Sequence, residues 1–112
     1  MKIHIIRQRA TEKEMREMLE ELTTYIKLAV DIEREVLAGG GEYHADCEEL
    51  LLEEGSRQEN IWGADWYPEP QRVEFGALIN IRPQQGNRGM EIEDPKVREK
   101  IEVIVRRLLE AR

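Results

Sequence analysis

His44 and Cys47 stand three residues apart, an imidazole and the chain's single thiol. Such a pair suits a metal, since zinc takes nitrogen and sulfur ligands, or a thiolate nucleophile, which needs a basic or positive neighbour. The rest of either site is missing. Structural zinc takes four ligands, and beyond this pair the chain has only His4 and carboxylates, while Asp46, Glu48 and Glu49 would raise the thiol pKa. The favoured reading of Cys47 is a small buried packing residue, with no catalytic residue, metal or cofactor assigned. Glu48, Glu49, Glu53 and Glu54 offer oxygens to a divalent cation, but their order does not match a calcium loop. Charges on a strand more often protect a sheet edge from pairing with another chain.

The set best suited to a ligand is Asn80-Ile81-Arg82-Pro83-Gln84-Gln85-Gly86-Asn87-Arg88. Two guanidiniums, several amides and a glycine suit a carboxylate or phosphate, which an arginine fork meets with two parallel hydrogen bonds. The candidate ligand-binding residues are Asp65, Tyr67, Asn80, Arg82, Gln84, Asn87 and Arg88, with Asp65 holding the fork or serving as acid or base. A competing role for the arginines is a structural bridge to Asp65 or Glu74. Trp62, Trp66 and Tyr67 are aromatic anchors for a ligand or, more simply, core.

These residues need elements to position them. Ile3, Ile5 and Ile6 predict a short first strand. Thr11-Glu12-Lys13-Glu14 has the spacing of a capping box and opens a helix. Met15, Met18, Leu19, Leu22, Tyr25, Ile26, Ala29, Ile32 and Val36 carry helical periodicity onward to the Gly39-Gly40-Gly41 stop. Such a helix would be about 40 Å long and overhang its sheet. Residues 44–54 read as a strand or a short helix; the strand is preferred, with Glu54-Gly55-Ser56 as the turn of a hairpin. In the next strand, 60–67, Trp62, Ala64 and Trp66 share one face and Ile61, Gly63, Asp65 and Tyr67 the other. Beyond a turn at 68–71, residues 72–82 alternate apolar and largely polar, with Leu78 on the polar side. A loop follows, then a short edge strand at 90–92. Asp94 caps a last helix, Pro95 takes its first position, and Val97, Ile101, Ile104, Val105 and Leu108 form its stripe. The order β-α-β-β-β-(β)-α predicts an α+β two-layer sandwich, two amphipathic helices on one face of a small, mainly antiparallel sheet.

At 112 residues the chain is expected to be one domain, 1–112. Its 40% hydrophobic and 37% charged residues suit a folded core inside a solvated surface. The net charge of −7 argues against a nucleic-acid partner. Neither a membrane-spanning run nor a signal peptide is evident, and a lone cysteine suits a reducing compartment, so a cytoplasmic location is expected. Charge is uneven: residues 42–59 hold seven acids against Arg57, and residues 96–112 six bases against three acids.

His44-Ala45-Asp46-Cys47, the run Gly55-Ser56-Arg57-Gln58-Glu59-Asn60-Ile61-Trp62-Gly63-Ala64-Asp65-Trp66-Tyr67-Pro68, and Asn80-Ile81-Arg82-Pro83 with Asn87-Arg88 resemble a family of short bacterial proteins. That family, frequent in cyanobacteria and catalogued as a domain of unknown function, implies a bacterial origin and brings no activity or ligand. The order of elements is partly similar to small ribosome-directed toxins, but those are basic, and an acidic chain with two histidines argues against that reading.

No catalytic constellation emerges. The leading expectation is therefore a non-catalytic binding or assembly module, a homodimer that associates through the overhanging helix or an exposed strand. The alternative is a small-anion binder or an enzyme using the polar sheet face around Asn80, Arg82 and Arg88.

Overall fold

The computed structural model describes residues 3–111. The chain is an α+β fold with strands β1 (His4–Ile6), β2 (Ile26–Asp31), β3 (Val36–Gly39), β4 (Ile61–Tyr67) and β5 (Arg72–Glu74). They form one antiparallel sheet in the order β1-β3-β2-β4-β5. Helices α1 (Glu12–Met18), α2 (His44–Glu53) and α3 (Pro95–Leu109) complete it.

Strand side chains alternate between faces, so each strand sorts its residues by size and polarity. Ile26, Leu28 and Val30 of β2, Leu37 of β3 and Trp62, Ala64 and Trp66 of β4 turn to the first face. There Met18 of α1 and Ile101, Ile104, Val105 and Leu108 of α3 close the main core. Ala29, Val36, Ala38 and Ile61 turn to the second face and meet Cys47 and Leu51 of α2 in a smaller cluster. α-Helices thus cover both faces, three among the described residues, where two on one face were expected.

Both expected helix starts are present. Thr11 accepts from the Glu14 amide while the Glu14 carboxylate accepts from the Thr11 amide, and Asp94 accepts from the Lys96 amide ahead of Pro95. The first helix, however, ends at Met18, and the expected continuation to residue 38 is instead the β2–β3 hairpin. In a helix Leu28, Val30 and Leu37 would flank the stripe of Tyr25, Ile26, Ala29 and Ile32 and widen it beyond what one helix face buries against a sheet. The hairpin buries all three completely. Asp31 shapes its turn by accepting from the amides of Glu33 and Arg34, and Glu35 takes a left-handed backbone at φ 58°.

The strand preferred for 44–54 is α2, with Cys47 and Leu51 one turn apart on its buried side. Glu54-Gly55-Ser56 is a helix stop, not a hairpin turn. Ser56 N–H donates to Leu51 O at 2.9 Å and Gly55 N–H to Leu52 O at 3.1 Å, with Gly55 left-handed at φ 99°.

The strand expected over 72–82 stops at Glu74. The Asn80 side chain takes its place: its amide accepts from Gly63 N–H at 2.8 Å and donates to Gly63 O at 3.0 Å. Those are the β4 groups that the next residues of a neighbouring strand would have used. The edge expected at 90–92 is an isolated bridge, Gly76 to Glu91.

Candidate functional site

Near Tyr67 the second face is left uncovered by α2 and becomes polar. Lys27, Asp65 and Glu74 stand in a row across β2, β4 and β5. Beside it runs an aromatic row, where Tyr25 stacks on Tyr67 at 4.9 Å and the Arg72 guanidinium lies 5.0 Å from the Tyr67 ring. Burial, then the charges of Glu74 and Asp65, push the Tyr67 hydroxyl above its ordinary range, against a lowering pull from Arg72.

The start of α2 brings His44 over this row. Its Nε2 lies 2.8 Å from Asp65 Oδ1 and 3.2 Å from Ala64 O, and the two side chains are only 12% and 13% exposed. With one ring nitrogen held by a nearly buried carboxylate, the imidazole has a fixed orientation.

These groups form one wall of a cleft of about 540 Å³, closed on the other side by the segment 76–79 with Met90 and Glu91. Its rim is apolar and open. Tyr43 is 59% exposed, Leu78 73% and Met90 50%. Segment 77–79 lies so close to the sheet that a Cβ on Gly63 would come within 2.5 Å of Ala77 Cβ. A glycine in β4 is what lets this wall settle onto the strand.

The structure divides the residues expected to bind a ligand. Asp65 lines the cleft and Tyr67 neighbours it in the aromatic row. Asn80, Arg82 and Asn87 are buried and spent on protein partners. Asn80 also donates to Phe75 O and Met90 O. Asn87 donates to the carbonyls of Asn80, Gly89 and Glu91 and accepts from Glu93 N–H. Arg82 donates to Ile79 O, Gln58 O and, at 3.3 Å, Glu48, while its guanidinium lies 4.9 Å from the Trp62 ring. Its bridge is to Glu48, neither Asp65 nor Glu74. Burial lowers its pKa, partly offset by Glu48, and a guanidinium stays charged regardless. Gln84 and Arg88 are exposed on the loop. The seven residues therefore do not make one surface.

Cys47 is fully buried and its Sγ lies 3.6 Å from Lys27 O, while His44 turns to Asp65. Burial pushes the thiol up to about 11, away from nucleophilic use at neutral pH. Among the described residues no three His, Cys, Asp or Glu side chains gather as a metal site, and no helix is long and apolar enough to cross a membrane.

Sequence reasoning missed Lys27, Gly76, Met90 and Glu91 as cleft residues. One signal was present: Leu78 on the polar side of its segment is an apolar residue where no core needs one.

The chain matches the family model described as a protein of unknown function (DUF5674) over residues 4–108 and belongs to that family. No curated protein and no solved structure gives a significant match.

Proposed function

We propose that this member of the DUF5674 family is a small non-catalytic binding module, and that the cleft beside the start of α2 on the second face is its binding site. The observation that carries the reading is the pairing of an open apolar rim, Tyr43, Leu78 and Met90, with a fixed polar floor, His44 and Asp65. Binding sites combine apolar lining with a few well-placed polar groups in this way. Side chains without a ligand would gain more from burial than from standing in water, roughly 25 cal/mol for each Å² covered.

A second reading keeps the same cleft and makes it catalytic. An imidazole oriented by a carboxylate is a competent general base, and His44 meets that description, with Asp65 as the orienting group. Self-association remains part of the proposal, on a different footing. The surplus helix that motivated it is a hairpin, so a second copy would use the cleft rim or an edge strand of the sheet, β1 or β5. A bacterial, cytosolic setting belongs to the proposal too, its cytosolic part supported by the lone buried thiol.

A thermal-shift screen of amines, carboxylates, phosphates, sugars and nucleotides tests the reading, run in parallel on Leu78→Ser, which removes apolar rim without adding a charge. A compound at 100 times its Kd should add about 2.7 kcal/mol of stability to the wild type. Loss of that response in the variant supports the cleft. A response of equal size in both proteins, or no response to any compound, counts against it.

A further inference from the structure

We infer that the cleft recognises a small aliphatic amine, its ammonium paired with the Glu91 carboxylate and its stem lying along Leu78 and Met90. This rests on the binding reading above and assigns its ligand class.

Three carboxylates line the cleft, Asp65, Glu74 and Glu91, against a single lysine, Lys27, and His44. Two of the three are already answered within the protein. Asp65 is held by His44 at 2.8 Å, and Glu74 accepts from Arg72 Nε at 2.9 Å. Glu91 has no hydrogen bond or ion pair to its carboxylate among the described residues. Lys27 is engaged as well: its Nζ donates to Glu42 O at 3.0 Å and lies 5.6 Å from the Tyr43 ring. The cleft's one unanswered charge is therefore negative.

The backbone makes room for that charge. Gly76 bridges to Glu91, and a Cβ on Gly76 would come within 2.4 Å of Glu91 Oε2. Gly76 lies outside the left-handed region, so what it contributes at this contact is the missing Cβ and not an unusual φ. With no Cβ in the way, the exposed carboxylate lies against the strand wall at the cleft. Leu78 and Met90, both half or more exposed, flank it within the same cleft. A carboxylate beside open aliphatic surface complements a cation carried on an aliphatic stem. An anion of the same shape would meet net repulsion.

The test is a two-dimensional 15N NMR titration at fixed pH with n-hexylamine, n-hexanol and hexanoate, on wild type and Glu91→Gln. Hexylamine should shift the amides of Gly76, Leu78 and Glu91 and bind at least tenfold tighter than hexanol, with hexanoate weaker still. Glu91→Gln, an exposed and near-isosteric change, should weaken hexylamine about tenfold, the worth of one charge-assisted hydrogen bond. Hexanol or hexanoate binding the cleft as tightly as hexylamine would overturn the amine assignment and leave the binding module standing. Unchanged hexylamine affinity in Glu91→Gln would do the same. If none of the three shifts the cleft, the amine assignment fails. The binding reading fails with it only when the thermal-shift screen is also empty.

Discussion

The two faces of the sheet are built from different residues and are finished to different degrees. On the first face Trp66, Leu28, Ile26, Ile101 and Leu108 interlock between sheet and helices with almost no exposure. On the second, the residues under α2 and the 75–92 segment are small, Ala29, Ala38 and Gly63, and the cover stops short of the Lys27–Asp65–Glu74 row. Small residues let a helix and an irregular segment approach the strands closely, at the cost of apolar area to bury. The first face stabilises the fold, and the second gives up part of its burial to keep a cleft open.

Substitutions should separate the faces by magnitude. Trp66→Ala removes the largest fully buried side chain and should cost about 3–5 kcal/mol, read as a fall in the urea midpoint. A loss near 1 kcal/mol would mean the first face is loosely packed. Arg82→Ala, beside the second face, should cost about 3 kcal/mol, because it strands Glu48, whose side chain is 12% exposed, and frees two carbonyls. Stability unchanged by this variant would return Arg82 to the list of residues free to bind an anion.

How far the sequence led also differs between the faces. The alternation Trp62, Ala64, Trp66 against Ile61, Gly63, Asp65, Tyr67 identified β4 and its facing, and the Thr11 and Asp94 caps located two helix starts. These signals are local: alternation and capping need only the residue and its neighbours. The hairpin at 26–39 was not legible in that way, because Tyr25, Ile26, Ala29 and Ile32 satisfy a helical period. Only pairing with β4 and β1 rewards the alternative that buries Leu28 and Val30. Glu54-Gly55-Ser56 misled for a related reason, since a left-handed glycine ends a helix as readily as it turns a hairpin. Asp65 was legible as a cleft residue. Its partner His44 was not, because a strand over 44–54 would not present an imidazole to β4, whereas the start of α2 does.

Cys47, in the second-face cluster under α2, carries a smaller prediction. Cys47→Ser should fold and lose about 1–3 kcal/mol, the cost of a hydroxyl in a small apolar cluster. The buried thiol adds a pH dependence. Its pKa is raised from 9.0 to about 11, so the folded state holds this proton more tightly than the unfolded chain does. The associated stability is complete below pH 9 and is lost as pH rises toward 11. The wild type should therefore lose more stability than Cys47→Ser across that window. Parallel curves would place the thiol in contact with water.

The smallest effect on stability is expected at the cleft itself. Leu78→Asp should change stability by no more than about 0.5 kcal/mol, since the side chain is already 73% exposed. A loss of several kcal/mol would make Leu78 part of the fold and not of a site.

The most direct measurement is a fragment screen by two-dimensional 15N NMR on the wild-type protein, with every responding amide mapped onto the sheet. Responses should cluster at Lys27, Tyr43, His44, Gly76, Leu78 and Met90 on the second face. Responses gathered instead in the groove between α1 and α3, at Met15, Leu19 and Leu109, would contradict the account by putting the open site on the face assigned to stability.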